Sequence, residues 1–342
     1  MVVIPLLSSA RAGSALFGIW LVMQAPAPSE PVDHDGFAAW LAAVRVEAVA
    51  RGVSQETVDK ALSGVEPVVR VLERDRKQAE FVLTLDRYLE RRLTPATVAM
   101  ARRMAVRHRT VLARAGKAYG VDPRVLVSVW GLESNFGRFA GVRPTVPVLA
   151  TLAWDGRRGE FFRQQLFDAL TIVDRGHIEL ASLKGSWAGA LGQVQFMPSS
   201  YLAWAVDFDG DGQRDIWTSM PDVFASIANY LQQHGWTTGR WGYAVRIPEA
   251  ARPAVSAVAP REQGCRASRA LSQPRPLEQW RTLGVRLADG ARVPARPAMA
   301  SLLEVESRRY LVTANYDALL AYNCAHTYAL SVALLADRIA AF

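Results

Sequence analysis

From Phe37 to Tyr119 the chain carries an almost unbroken helical texture, which directs it toward a mainly helical fold. Phe37, Trp40, Leu41 and Val44 recur at i, i+3, i+4 and i+7, the spacing that gives a helix one buried face. The interruptions are those of helix ends: Gly52 followed by Ser54 as an N-cap, the run from Gly64 to Pro67, and Thr94-Pro95, which opens a helix with proline in its first turn. VDPRVLVSVWGLE repeats that grammar, with Asp122 capping and Pro123 at the first helical position. Glu133 is thereby placed near the C-terminal end of a short, strongly apolar helix.

The texture changes from Trp241 to about Ser307, where WGYAVRIP, GVRLADG and YLVTAN are short β-leaning pieces between Pro-, Gly- and Arg-rich connections. A small β-containing insertion follows from this pattern. Helix returns from Tyr316 to Ile339, and YALSVALLADRI, apolar on nearly all sides, reads as buried. At the other end, Arg11 precedes AGSALFGIWLVMQAPAP, whose small residues and prolines predict the end of a secretory signal, with the mature chain starting near residue 25 to 30. The apolar run from Ala15 to Met23 is shorter than the roughly 20 residues of a membrane span, and no cysteine beside it marks a lipid anchor. The expected fold class is mainly α (α+β). The expected divisions are a signal at 1–28, an N-terminal helical domain at 29–109, a central core at 110–240, the β-containing insertion at 241–312 and a C-terminal helix at 313–342 that completes the core.

Half of the 342 residues are hydrophobic, which is enough for a sizeable core and excludes a disordered chain. The net charge of +8 favours an anionic polymer or surface, and nucleic acid, anionic lipid and acidic wall polymer all satisfy it. There is no long basic run, so a solvated, arginine-rich surface is an equal explanation. Cys265 and Cys324, the two cysteines, are too far apart for a local metal motif, which leaves one disulfide or two free buried thiols.

The stretch WGLESNFG sets Glu133 beside Trp130 and Leu132, and a carboxyl held against apolar groups loses hydration of its charged form. Its pKa rises, and it can stay protonated near neutral pH as a general acid. A glutamate near a helix end can equally be a surface or capping residue. The second informative stretch is GSWAGALGQVQFMPSSYLAW, from Gly185 to Trp204. Gly189 and Gly192 allow close backbone approach, and Gln195 offers a donor and an acceptor to a sugar amide or hydroxyl. The purely structural alternative is a glycine-punctuated approach to a helix signalled by Pro198 and Ser199.

Taken with ERDRKQAEF at 73–81, YGVDPRVLVSVWGLESNFG at 119–137, DFDGDGQRDIW at 207–217, NYLQQHGW at 229–236 and the closing YNCAHTYALSVALLADRI, these blocks resemble the lytic murein transglycosylase B family, a branch of the lysozyme-like superfamily. The resemblance implies a lysozyme-like core and cleavage of the β-1,4 bond between N-acetylmuramic acid and N-acetylglucosamine in peptidoglycan, without water, leaving 1,6-anhydromuramyl ends. By the same likeness Glu133 is the single catalytic residue, first acid and then base, with the substrate's N-acetyl group taking the place of a carboxylate nucleophile. Ser186 and Gln195 match residues that bond the muramyl unit. Tyr322, Asn323 and Tyr328 match residues that close the cleft from the C-terminal end, and Tyr88 matches an aromatic that reaches it from the N-terminal domain. The implied partners are peptidoglycan glycan strands and not nucleic acid. The implied setting is the periplasm, with peripheral association with the cell envelope, and the chain acts as a monomer. No cofactor is needed for the chemistry.

DFDGDGQRDIW also resembles the start of an EF-hand loop. Asp207, Asp209 and Asp211 stand at positions 1, 3 and 5, Gly212 makes the turn, and Gln213 can offer its carbonyl at 7. Position 12 is Thr218 rather than glutamate. The resembling family carries a longer loop, so Asp222 is expected to supply the late carboxylate of a structural Ca²⁺ site, with Asp215 competing through water. An Asp-Gly turn held by side-chain bonds is the alternative without a cation.

Three rival readings stay open at this level. Asp155 and Glu160 in WDGRRGE are the candidates for a two-carboxylate hydrolase. A binding protein could keep the cleft without turnover, though it has no use for a buried acid. A calcium-regulated interaction module could centre on residues 207–222, but one incomplete loop makes a poor sensor.

Overall fold

The structure is a computed structural model that describes residues 34–78 and 83–340. The expected signal segment and part of the ERDRKQAEF block lie outside the described residues. Among those described, no single helix is long and apolar enough to cross a membrane.

The first half is helical as its periodicity demands: α1 (His34–Ala50), α2 (Gln55–Leu62), α3 (Val69–Gln78), α4 (Leu85–Arg92), α5 (Pro95–Arg107), α6 (Arg109–Tyr119) and α7 (Pro123–Ser134). Their ends follow the capping chemistry in the sequence. The side chains of Ser54 and Thr94 accept amide hydrogens at the starts of α2 and α5, and Pro95 opens α5. Gly120 closes α6 in the left-handed region with φ +69°. After α7 come β1 (Arg143–Pro144), α8 (Thr145–Trp154), α9 (Gly159–Asp174), β2 (Lys184–Gly185), α10 (Pro198–Trp204) and α11 (Met220–Gln233). β1 and β2 form a small antiparallel pair.

Residues 242–312 contain β3 (Gly242–Arg246), α12 (Arg252–Ser256), α13 (Arg266–Arg269), β4 (Arg275–Pro276), α14 (Leu277–Thr282), β5 (Arg286–Leu287), β6 (Met299–Val305) and β7 (Arg308–Val312). The five strands make one antiparallel sheet in the order β4-β6-β7-β3-β5. Its inner face packs on α14 through Trp280, Leu277, Leu302 and Leu311, an apolar cluster separate from the main core. The main core runs from Phe37 in α1 through α7 and α11 to Ile339, so the helices on both sides of residue 110 share it.

The sheet is also tied to the helical body. The β6–β7 turn, where Glu306 adopts φ +50°, presents its carboxylate to the start of α4: Oε1 accepts from the Leu85 amide at 2.7 Å and Oε2 from the Asp86 amide at 3.4 Å. Negative charge at a helix N-terminus is favourable. Arg308 pairs with Asp86 at 2.8 Å beside it.

The C-terminal region departs from the single expected helix. It forms α15 (Ala314–Tyr322) and α16 (His326–Arg338), which meet at 119°. Asn323 and Ala325 take extended backbone between them, and Cys324 in that corner is disulfide-bonded to Cys265 at the start of α13. The cross-link and the break thus share one site. Both helices are largely buried.

Candidate active site

The site is built on α7. Asp122 caps it, its Oδ1 accepting from the Arg124 amide at 2.9 Å, and the helix runs apolar and buried as far as Leu132. Its far end is shaped by WGLESNFG. Ser134 Oγ donates to the Trp130 carbonyl at 2.9 Å and accepts the Gly137 amide at 3.0 Å, closing the last turn. Asn135 and Phe136 then take φ +50° and +58°, a left-handed pair uncommon for residues with a Cβ. This folds the Phe136 ring back over Gly131, where a Cβ would lie 2.5 Å from it. Trp130 is enclosed edge-on by His108, Phe136 and Phe224, with centroids 5.3 to 5.6 Å away. Its Nε1 donates to Gln193 Oε1 at 2.7 Å. The helix end is thus fixed in rotation, and Glu133 with it.

Glu133 keeps part of its surface open to the cleft although protein surrounds it densely. Burial raises its pKa from 4.5 to about 7, and this outweighs the opposing influence of the Tyr328 hydroxyl and the Arg92 guanidinium. Arg92, the last residue of α4, donates to the Leu132 carbonyl one residue before Glu133. Tyr328, on α16, is 5% exposed, and its hydroxyl oxygen is buried with no hydrogen-bond partner of ordinary geometry. It lies near enough for the Glu133 charge to help raise its own pKa, after burial. Tyr322, at the end of α15, is raised by burial and then by the same charge. The two rings stack at 6.2 Å and 19°. Among the described residues, no other carboxylate acts on Glu133.

Below the tyrosines runs the glycine-rich segment. Tyr322 donates to the Val194 carbonyl at 2.7 Å, which ties α15 to the residue preceding Gln195. Gln195 takes φ +53°, and its Nε2 donates to the Gly192 carbonyl at 2.8 Å, leaving its carbonyl oxygen outside that bond. Gly192 has no room for a side chain, since a Cβ would lie 2.6 Å from the Ile216 carbonyl oxygen.

The acidic loop has a different character. Asp207, Asp209 and Asp211 are exposed, and each brings a carboxylate oxygen within 4.8 Å of the others. Asp207 accepts backbone amides from Gly210 at 2.7 Å and Gly212 at 2.9 Å, and Asp209 accepts the Ser219 hydroxyl at 2.8 Å. Three converging hard oxygen donors suit a divalent cation such as Ca²⁺.

A family model described as "Transglycosylase SLT domain" matches residues 36–337. The chain belongs to that transglycosylase family. It is 39% identical over 154 residues to the membrane-bound lytic murein transglycosylase B of Escherichia coli (strain K12), an alignment that covers 45% of this chain and 42% of that protein's length. It resembles SltB3 of Pseudomonas aeruginosa in complex with NAG-anhNAM-pentapeptide, with a TM-score of 0.80 and 39% identity over 88% of this chain and 78% of that one. It also resembles the Escherichia coli transglycosylase Slt35 in complex with calcium, with a TM-score of 0.71 and 26% identity over 90% and 93% of the two chains. The mainly helical, lysozyme-like fold expected from the sequence is therefore that of the transglycosylase family.

Among the residues singled out by the resemblance to the transglycosylase family, the structure brings Glu133, Tyr322 and Tyr328 together, with Gln195 joined to them through Val194. Ser186 Oγ is committed to its own turn, accepting the Ala190 amide at 3.1 Å and the Ala188 amide at 3.3 Å, and keeps only its O–H to donate. Asn323 is exposed in the α15–α16 corner. Tyr88 is half-buried on α4, and among the described residues no ring or side-chain hydrogen bond links it to the other site residues. Asp222 differs from its expected role. It is fully buried on α11, its two oxygens each accept a backbone amide, from Phe208 and Asp215 at 2.8 Å, and it stands outside the group of three acids. It holds the two ends of the acidic loop together. Gln213, the expected carbonyl donor, has its amide bonded to Asp211 Oδ1 at 2.8 Å.

Two residues were missed from the sequence. Arg92 carries no local signal in an arginine-rich helix. Gln193 was passed over for Gln195, yet its Nε2 donates to the Trp217 carbonyl at 2.7 Å while its Oε1 holds Trp130, so it joins the acid's helix to the end of the acidic loop. The Gly-Gln-Val-Gln run carries no signal for this, because residues two apart in an extended segment share a face, and Gln195 leaves that conformation with φ +53°.

Proposed function

We propose that this protein is a peptidoglycan lytic transglycosylase that cleaves the MurNAc-β-1,4-GlcNAc bond and leaves 1,6-anhydromuramyl ends. The observation that carries this reading is a single carboxyl, Glu133, with its pKa raised to about 7 and no second carboxylate acting on it. A group poised there serves both as proton donor and as proton acceptor near neutral pH. Glu133 protonates the leaving glycosidic oxygen as positive charge develops at the muramyl C1, which the substrate's own acetamido group stabilises. The resulting carboxylate, attracted by Arg92, then takes the proton of the muramyl C6 hydroxyl as that oxygen attacks C1. Tyr322 and Tyr328 enclose the carboxyl and sustain the raised pKa, which the Tyr328 hydroxyl beside it lowers in part. Gln195 offers its carbonyl oxygen to an acetamido N–H, and Ser186 its O–H; Asn323 and Tyr88 border the cleft at its C-terminal and N-terminal sides.

The two-carboxylate alternative loses its support, since Asp155 ends α8 and Glu160 begins α9, and neither acts on Glu133. Asp207, Asp209 and Asp211, with the Gln213 carbonyl, would hold a structural Ca²⁺ outside the reaction. The protein works as a monomer in the periplasm, with peripheral association with the envelope. Incubation with purified murein followed by mass analysis tests the reading. Ends one water lighter than reducing ends, lost in Glu133→Gln, are expected; reducing ends would establish a hydrolase, and intact murein a binding protein.

A further inference from the structure

A second cavity, of about 750 Å³, opens at the N-terminal end of α7. Ten residues at 1.5 Å rise separate Pro123 from Glu133, so it lies about 15 Å from the acid. None of the cleft residues lines it. Its rim carries three exposed cations, Lys117, Arg240 and Arg296, none of them in an ion pair among the described residues; Arg240 lies over the Tyr243 ring at 5.6 Å. Two acids also face it. Asp122 is paired with Arg124, and Asp337 accepts from Trp241 Nε1 at 3.1 Å. Trp236, which lines the cavity and is 4% exposed, has an indole N–H with no hydrogen-bond partner. Gly120 and Gly239, both with positive φ, leave stretches of wall without side chains, open to an extended main chain.

A lining of this mixed sign selects its ligand. Nucleic acid and polyphosphate would gain from the three cations but meet the two carboxylates, and the indole faces are too buried for base stacking. A short peptide that carries both carboxylates and an ammonium group suits both signs. We infer that this cavity binds a zwitterionic peptide of the kind that substitutes muramyl residues, and so holds a peptide arm of peptidoglycan away from the bond being cut. The identity of the peptide rests on the proposed function; the charge pattern does not. A second hold on a polymeric substrate raises the effective concentration of glycan at the cleft. It has no such effect on a short naked glycan.

The test is calorimetric titration of the full chain with a synthetic tetrapeptide that has two free carboxylates and one side-chain ammonium, and no sugar. Saturable binding is expected, weakened about tenfold or more by Lys117→Glu with Arg296→Glu. An N-acetylated, amidated version of the peptide should lose affinity. In turnover, the double variant should raise KM for peptide-bearing murein and leave kcat on naked glycan unchanged. Unchanged peptide affinity in the double variant, or tighter binding of an oligophosphate at the same residues, would overturn the site. So would peptide binding abolished by Tyr322→Phe alone, because that places the peptide in the cleft. Peptide bound here by a chain that releases no anhydro ends would overturn the proposed reaction and keep the site.

Discussion

Two regions of this molecule carry acidic residues and treat them in opposite ways. The last turn of α7 presents one carboxyl, half-closed by protein and raised to about 7. In the loop from Asp207 three carboxylates stand exposed and close together, where water screens them and a cation can neutralise them. The contrast shows that what suits an acid to proton transfer is enclosure without company. Acids grouped in the open are suited to charge binding. Asp222 marks the boundary between the two cases: it is buried, its pKa is raised by that burial, and both of its oxygens are committed to backbone amides.

The comparison can be broken most directly at Glu133. Glu133→Gln should lower the release of anhydro products by about 10²- to 10⁴-fold, the usual contribution of a general acid, measured by mass analysis of muropeptides. Loss of a similar size in Asp209→Asn would erase the distinction between the two regions. The acidic loop should instead show itself in stability. With Ca²⁺ at about a hundred times its Kd, the melting transition should gain about 2.7 kcal/mol, and Asp209→Asn with Asp211→Asn should abolish that gain. A melting temperature indifferent to Ca²⁺ would leave the three acids as a plain turn.

A smaller effect sharpens the same contrast through pH. Because the folded pKa of Glu133 lies above its unfolded value, the folded state holds the proton more tightly. The associated stability is complete below pH 4.5 and is lost as pH rises through about 7. Glu133→Gln should therefore flatten the stability curve between those values and leave the variant more stable above pH 7, by about 3 kcal/mol in chemical denaturation. The smallest effect belongs to Tyr328. Its hydroxyl lowers the Glu133 pKa, so Tyr328→Phe should move the alkaline limb of the pH–rate profile to higher pH. A limb that does not move would assign the downward influence to Arg92 alone.

The helical architecture was legible because its punctuation is chemical: Ser54, Thr94 and Asp122 do in the fold what those residue types do at helix ends. Glu133 was legible as an acid in apolar company. Its partners were not, because Tyr322, Tyr328 and Arg92 reach it from helices distant in sequence, and only the family resemblance pointed to the tyrosines. Strand β6 escaped notice because four consecutive buried residues, Ala300 to Leu303, hide its alternation. The corner between α15 and α16 was read as continuous helix, since Tyr322 to His326 holds no proline or glycine to mark a break and the bend accompanies a cross-link to a residue 59 positions away. Asp222 was assigned to the cation by its place in the loop; burial on α11 gives it to the backbone instead.

The contact between the β6–β7 turn and α4 bears on how far this protein can be pared down. The sheet contributes no group to the cleft, which makes it look like an ornament that engineering could remove. Yet Glu306 anchors the first turn of the helix whose last residue, Arg92, grips the backbone beside the acid. A minimal version lacking residues 242–312 would lose that anchor together with Cys265, one half of the brace on the tyrosine-bearing corner. Shrinking this protein therefore calls for a substitute at each of those two attachments.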